Sequence, residues 1–360
     1  MILLRESIDD IRKRIEKIDY EILRMMANRT AAAVEMGRMK ANESMPLRAP
    51  AVEERVIGRY IDKAKDFGMS ASSARQIARL LIRESIEQQG HIPRPSLSKR
   101  VFIIGGSGKM GRWLADLLES RGHRIRIYDV VESDKFPMER DLARGVREAE
   151  VVIIATPISA TRGMLKKVIE LKPEGLVFDI ASVKNPFQDL LQNGVENGLI
   201  LCSLHPMFGP DAYSIIDRNI VICNCGSTDA VDRASALMDG ANIMEIELEE
   251  HDPIMAYVLG LSHATNIAFF ESLRASGMSF ENLSRAASTT FRKQVDTARD
   301  VASENSQLYY EIQRMNPHNA NALASLQKAL EEIRIASERD SQDMFKHMMN
   351  EGKNYFGGNQ

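Results

Sequence analysis

At 360 residues the chain exceeds what one ordinary core organises, since single domains run to roughly 100–200 residues, so two or three cores are expected. Hydrophobic residues at 44%, charged residues at 27% and a net charge of -3 describe a globular chain without the positive field that draws nucleic acid or an anionic membrane. The charged opening MILLRESIDDIRKRIEK holds no apolar run long enough for a signal peptide or membrane span, so a cytoplasmic protein is expected.

From about Ser7 to Lys40, the residues Ile8, Ile11, Ile15, Ile18, Ile22 and Met25 recur at steps of three and four. That spacing predicts one long helix with a buried stripe, too long to bury itself. Extended at the same spacing, the stripe runs into Arg29, and Lys40 falls about three turns further on nearly the same face. An unpaired buried charge is costly, so these residues predict facing counter-ions or an anionic ligand. A snorkelling arginine at the end of the stripe is the alternative. Two shorter helices are predicted around 52–65 and 74–89, with PLRAP and FGMSASS as breaks. On the second, Ser85 and Gln89 continue the face of Ala78, Leu81 and Ile82, so polar groups stand where core is expected. Residues 1–92 thus read as an all-α N-terminal domain, separated from the rest by a segment containing Pro93 and Pro95.

From Arg100 the period changes. The runs VFII, RIRIY, VVIIA, LVFDI, LILCSL, NIVIC and MEIEL alternate with helical segments, the pattern of an α/β Rossmann-like, doubly wound and mostly parallel sheet over residues 98–250. Cys202, Cys223 and Cys225 lie in or beside these runs; three is an odd number, and they read as structural thiols rather than a disulfide framework or a metal site. After about His251 the strand signals stop, and residues 251–350 read as an all-α C-terminal domain.

Directly after VFII comes GGSGKMG, placing Gly106, Gly108 and Gly111 in G-x-G-x-x-G spacing before a helix, and RIRIY then ends in Asp129. Strand, turn, helix and strand together are the context this motif needs to bind a dinucleotide. The glycines permit close approach of the backbone to a pyrophosphate at a helix N-terminus. Asp129 accepts hydrogen bonds from ribose hydroxyls and repels a 2'-phosphate, which predicts NAD over NADP. A glycine turn with no ligand and a solvated aspartate is the bland alternative. Later strands end in Thr156, in Ser182 followed by Lys184, and in His205 within HPMFGP. Ligands of open α/β sheets bind outside the carboxyl ends of the strands, so Gly106, Asp129, Thr156, Ser182 and His205 are expected around one crevice. Lys184 reads either as an aid to anion or cofactor binding or as a surface lysine.

GGSGKMG, DIASVK, LHPMFGPDA, the histidine of LGLSHA and the arginine of ASTTFRKQV together resemble the prephenate dehydrogenases of tyrosine biosynthesis, from about residue 100 to 350. HPMFGPD is the specific part of the match. The resemblance implies that His205 takes the proton of the prephenate ring hydroxyl as hydride leaves the same carbon, and that Ser182 positions that hydroxyl and the nicotinamide. It implies further that Arg292 binds a substrate carboxylate and that His263 lines the substrate pocket. From the residues alone, a solvated helix face or a capping contact is the simpler reading of Arg292 and His263.

The segment from about 5 to 90 is similar to the all-helical chorismate mutases. That likeness implies a homodimer of interlocked long helices, in which Arg12 reaches into the partner's site. Arg29 and Arg12 then clamp the two carboxylates of chorismate, Lys40 and Gln89 donate to its ether oxygen, Glu53 accepts from its hydroxyl, and Ser85 completes the pocket. Ala49 and Val52 depart from the aspartate and arginine that often support that pocket. The reaction is an intramolecular rearrangement, which needs positioning and charge stabilisation but no cofactor. The two resemblances imply an enzyme that makes prephenate and then oxidises it with NAD, with a C-terminal dimerisation domain and no metal, nucleic-acid or membrane partner. The rivals are a dehydrogenase with a non-catalytic regulatory helical module, a preference for arogenate, and an NAD-sensing protein without activity.

Overall fold

The computed structural model describes residues 7–43, 45–90, 92 and 98–357; the predicted separator prolines Pro93 and Pro95 lie outside them. The chain divides into two compact units. The first holds the described residues up to Thr156 with Gly163–Ala181 and Asp189–Ile246; the second holds Pro157–Arg162, Ser182–Gln188 and the residues from Glu247 on.

In the first unit, α1 (Ile8–Asn42) starts at Ser7, whose hydroxyl accepts from the Asp10 N–H while the Asp10 carboxylate accepts from the Ser7 N–H. Helix α2 (Pro50–Ala64) opens on a proline, whose missing N–H costs nothing in a first turn. A 3₁₀ turn ending at Gly68 leads to α3 (Ala71–Gly90). The stripe predicted to be buried along α1 is instead exposed in the single chain: Ile8 is 71% exposed, and Ile15, Ile18 and Ile22 are 50–51%. Only Ala33, Gly37 and Ala41 of α1 are buried. At 1.5 Å per residue, 35-residue α1 is about 52 Å long and 20-residue α3 about 30 Å, so its neighbours cannot cover it.

All seven predicted strand runs form strands: β1 (Arg100–Ile104), β2 (Arg124–Tyr128), β3 (Val151–Ile154), β4 (Leu176–Asp179), β5 (Leu201–Pro206), β6 (Asn219–Asn224) and β7 (Asn242–Glu247), in the order 2-1-3-4-5-6-7. The first five are parallel and β6 runs antiparallel to β5. Burial on both faces explains why β1 and β3 are almost unbroken Val, Ile and Phe. Helices α4 (Lys109–Ser120), α5 (Leu142–Glu148), α6 (Ile158–Glu170), α7 (Gln188–Glu196) and α8 (Thr228–Leu237) connect the strands. The chain order reverses between β1 and β3, and the carboxyl ends of those strands form the crevice where doubly wound sheets bind ligands.

The helical segment is keyed into the sheet. Leu47 and Ile86 belong to the same apolar cluster as Val101, Ile103, Ile215 and Ile216. The Leu47 N–H donates to Asp239 at 2.9 Å, and Arg48 and Arg83 both pair with Asp217 at 3.1 Å.

The described elements of the second unit are helical, as predicted: α9 (Leu248–Met255), a π-helical turn (Ala256–Leu261), α10 (Ser262–Ala275), α11 (Phe280–Arg285), α12 (Thr289–Ser303), α13 (Ser306–Met315), α14 (Asn319–Glu338) and α15 (Gln342–Tyr355). Among the described residues one run, Leu248–Ala275, is long and apolar enough by length and composition to cross a membrane. Pro253 and the π-helical turn interrupt it, and it carries buried His251, Asp252 and Asn266.

Candidate active sites

The glycine turn is shaped by backbone crowding. Gly105 has φ +85, and a Cβ there would sit 2.6 Å from the Ala155 carbonyl oxygen and 2.9 Å from the Thr156 nitrogen. A Cβ on Gly111 would lie 2.2 Å from the Gly105 oxygen, so only glycine lets α4 start against the turn. Gly106, Gly108, Gly111 and Thr156 are therefore brought together. Asp129 lies beneath them: its carboxylate accepts the N–H groups of Ser107 at 2.9 Å and Val131 at 3.0 Å. Each carboxylate oxygen offers about two acceptor positions, so capacity remains for a ribose hydroxyl. Gly108 stands at the N-cap of α4, where the helix dipole and open N–H groups favour a phosphate. The turn and Asp129 thus fit a dinucleotide.

His205, 3% exposed, is the penultimate residue of β5, opposite Val221 of β6. The loop after it is anchored on the helix that follows the glycine turn: Phe208 meets Trp113 edge to face at 5.0 Å, and the Trp113 N–H donates to the Ala212 carbonyl at 2.6 Å. At the end of β4, fully buried Asp179 accepts from the Ser203 hydroxyl and from the Ala181 N–H at 2.9 Å, fixing the main chain just before Ser182.

Ser182, His263 and Arg292 belong to the second unit. Two residues after Ser182, Lys184 is fully buried, which corrects the reading of a surface lysine. Its main-chain N–H donates to Asp252 at 2.9 Å, as does that of Asn185 at 2.7 Å, and His251 Nδ1 lies 2.7 Å from the same carboxylate. Burial acts to raise the pKa of Asp252, but the bond and charge of His251 and the two N–H donors outweigh it and hold the carboxyl below its ordinary value. His263 stacks on Tyr309 with ring centroids 4.1 Å apart, and its Nδ1 is buried without a hydrogen-bond partner among the described residues. Burial pushes the His263 pKa below its ordinary value. Arg292 is exposed on α12, next to Phe291, which meets Phe269 of α10 at 6.0 Å.

On the helices of the first unit, Arg29 donates to the Leu81 carbonyl at 2.7 Å and to the Ser85 hydroxyl, so the charge at the end of the stripe is held by α3 rather than snorkelling. Lys40 donates to the Leu47 carbonyl at 2.9 Å. Gln89 is 5% exposed, and its side-chain oxygen is buried without a hydrogen-bond partner among the described residues. Glu53 is held by Arg48 at 2.6 Å and by the Ala49 N–H at 3.3 Å. Arg12 lies apart from these groups, exposed and paired with Asp9 at 3.2 Å.

Three family models match the chain: chorismate mutase type II over residues 11–90, the nucleotide-binding domain of prephenate dehydrogenase over 134–229, and the dimerization domain of prephenate dehydrogenase over 247–351. The chain belongs to the chorismate mutase–prephenate dehydrogenase fusions. It is 26% identical to the T-protein of Enterobacter agglomerans, over 96% of this chain and 92% of that one. It is also 26% identical to the T-protein of Haemophilus influenzae, over 98% and 93%. Among solved structures, prephenate dehydrogenase from Aquifex aeolicus, determined with hydroxyphenyl propionate and NAD+, superposes with a TM-score of 0.58 at 18% identity, covering 72% of this chain and 99% of that one. Synechocystis arogenate dehydrogenase gives 0.54 at 20%, covering 71% and 97%.

Several residues around the candidate sites escaped the sequence reading. Gly105 was signalled only by the doubled glycine, and Asp179 by a lone carboxylate in the apolar run LVFDI. Gly37 had no signal: a Cβ there would meet Gln89 Cγ at 2.5 Å, so the mutase helices α1 and α3 touch where Gln89 sits. Arg48 reaches Asp217 and Asn242, and Asp252 the N–H groups of Lys184 and Asn185, all far along the chain, and no local pattern announces those pairings.

Proposed function

We propose that the helical domain rearranges chorismate to prephenate, and that the dehydrogenase domains then carry out the NAD-dependent oxidative decarboxylation of prephenate to 4-hydroxyphenylpyruvate. The observation that carries the reading is the pairing of a glycine turn over Asp129 with the HPMFGPD loop seated on its helix, in one chain with Arg29, Ser85 and Gln89 on facing mutase helices.

In the mutase step, Arg29 and the partner's Arg12 hold the two carboxylates, and Lys40 and Gln89 donate to the ether oxygen as its bond breaks. Arg48, fixed on Glu53, provides the guanidinium that Val52 lacks, so the departure at 52 is compensated from a neighbouring position. Glu53 keeps free acceptor positions for the substrate hydroxyl.

In the dehydrogenase step, bound NAD supplies the hydride acceptor, with Gly106, Gly108, Gly111, Asp129 and Thr156 around it. His205 takes the hydroxyl proton, Ser182 positions that hydroxyl, Arg292 holds a carboxylate, and His263 lines the pocket in its neutral form. The ketone left by hydride loss accepts the electrons released as the ring carboxylate departs as carbon dioxide, and aromatisation drives that loss. The protein works as a cytoplasmic homodimer, in which a second copy covers the apolar stripe of α1 and the apolar run of the dimerisation domain.

A coupled assay starting from chorismate with NAD tests the whole reading: prephenate should accumulate without NAD and give way to 4-hydroxyphenylpyruvate and NADH when NAD is added. If chorismate is not consumed without NAD, the helical domain is a regulatory module. Comparing NADH formation from prephenate and arogenate tests the ring substrate.

A further inference from the structure

Leu47 and Arg48, in the loop between α1 and α2, stand between the mutase groups and the sheet, all within the first unit. Leu47 is buried in one apolar cluster with Ile215 and Ile216, which precede β6. It also lies against Gly240, where φ is +100 and a Cβ would come within 3.2 Å of Leu47 Cδ2 and 2.7 Å of Ile216 Cδ1. The Leu47 N–H donates to Asp239, in the turn before β7, at 2.9 Å, while its carbonyl accepts from Lys40 Nζ at 2.9 Å. Arg48 makes a second bridge with its side chain. Its Nε and Nη2 donate to the two Glu53 oxygens at 3.3 and 2.6 Å, and its Nη1 reaches Asp217 at 3.1 Å and the Asn242 side-chain oxygen at 2.7 Å.

Asp217 is held in the left-handed region at φ +59, a conformation uncommon outside glycine, and it pairs with Arg83 at 3.1 Å as well as with Arg48. The bond to Glu53 raises the Arg48 pKa against burial, and the charges of Glu53, Asp217 and Asp239 raise it further. Lys40 and Glu53 are therefore each tied, through one intermediate residue, to a carboxylate of the sheet region. A lysine ammonium is a point charge on a flexible stem, so where it rests depends on what fixes its acceptor.

We propose that Asp217 and Asp239 are positioning residues for the mutase step: Asp239 fixes the Leu47 carbonyl that aims Lys40, and Asp217 fixes the Arg48 guanidinium that aims Glu53. Both roles rest on the mutase reading proposed above. Lys40 donates to an oxygen that gains charge only as its bond breaks, so loosening it lowers kcat. Glu53 meets a hydroxyl present alike in substrate and transition state, so loosening it raises KM. A general loss of stability would not divide the two parameters between the two carboxylates.

The full-length chain, assayed on chorismate without NAD, tests this. Asp217→Gly, which the left-handed backbone accepts without strain, should raise KM for chorismate about threefold to tenfold and leave kcat within about twofold. Asp239→Ala should lower kcat about threefold to tenfold with KM within about twofold, and Asp239→Asn, whose amide oxygen still accepts the Leu47 N–H, should restore it. In an Arg48→Gln background, Asp217→Gly should add nothing further. Prephenate oxidation with NAD should stay within about twofold of the native rate in Asp217→Gly and Asp239→Ala. Native KM and kcat in both variants would overturn the proposal, as would losses shared equally by both parameters and by prephenate oxidation, or a full Asp217→Gly effect in the Arg48→Gln background. A native chain that does not consume chorismate would instead sink the mutase reading and both roles with it. Hydrogen exchange at the Leu47 amide, expected to quicken in Asp239→Ala and not in Asp239→Asn, would then still decide whether the carboxylate holds this loop.

Discussion

Replacing Gly111 by alanine separates the architecture of the nucleotide turn from its contacts with a ligand. The new Cβ would lie 2.2 Å from the Gly105 carbonyl oxygen and 2.9 Å from the Gly106 Cα. Both are main-chain atoms that no rotamer change can move aside, so α4 must back away from the turn by about an ångström to restore ordinary contact. Overpacking of this kind costs about 1–3 kcal/mol. If the misplacement is passed on to the phosphate-facing N–H groups, NAD affinity should fall about tenfold to a hundredfold. Gly108→Ala is the comparison: its Cβ meets only the Gly105 oxygen, at 3.3 Å, so it should weaken NAD binding through the ligand while leaving the apo protein's melting temperature nearly unchanged. Gly163→Ala, with nothing within 4 Å, is the neutral control. NAD titration by calorimetry and apo melting curves read the two effects, and NAD-independent mutase turnover serves as an internal check on folding. Wild-type NAD affinity and melting in Gly111→Ala would refute the reasoning.

His205→Asn should retain NAD binding while dehydrogenase kcat falls by about 10²–10⁴, the usual worth of a general base; unchanged turnover would remove His205 from the chemistry. Arg29→Ala should lower mutase kcat/KM by about 10²-fold or more and leave prephenate oxidation intact, as steady-state assays of the two reactions on one preparation will show. Asp252→Asn leaves two N–H donors and His251 without their carboxylate, and denaturant unfolding should report a loss of about 3–5 kcal/mol. Because the Asp252 carboxyl is held below its ordinary value, its contribution is complete above pH about 3.9 and is lost as pH falls through the lowered value; acid unfolding of the native protein and Asp252→Asn should converge there. His263, held below the ordinary histidine value by burial, favours the folded state fully above pH about 6.5, and that preference is lost as pH falls through the lowered value. His263→Asn should therefore flatten the stability profile below pH about 6.5.

Much of the fold was legible in the sequence because local pattern decides it. Runs such as VFII and VVII have no polar face, so only a strand buried on both sides accommodates them, and all seven predicted strands are present. GGSGKMG was recognisable because a turn this crowded admits no side chain at Gly111. Tertiary structure decided whatever depends on partners distant in sequence. The α1 stripe has helical periodicity, but whether it is buried depends on how much helix lies alongside, and one chain leaves Ile8 71% exposed. Lys184 has the composition of a surface residue, yet it is buried where its N–H meets Asp252, 68 residues away. Arg48 follows a loop without periodicity and acquires meaning only from Glu53, Asp217 and Asn242. Periodicity records which face of an element is apolar. Burial and charge pairing are set by what packs against that face, which no local window of sequence contains.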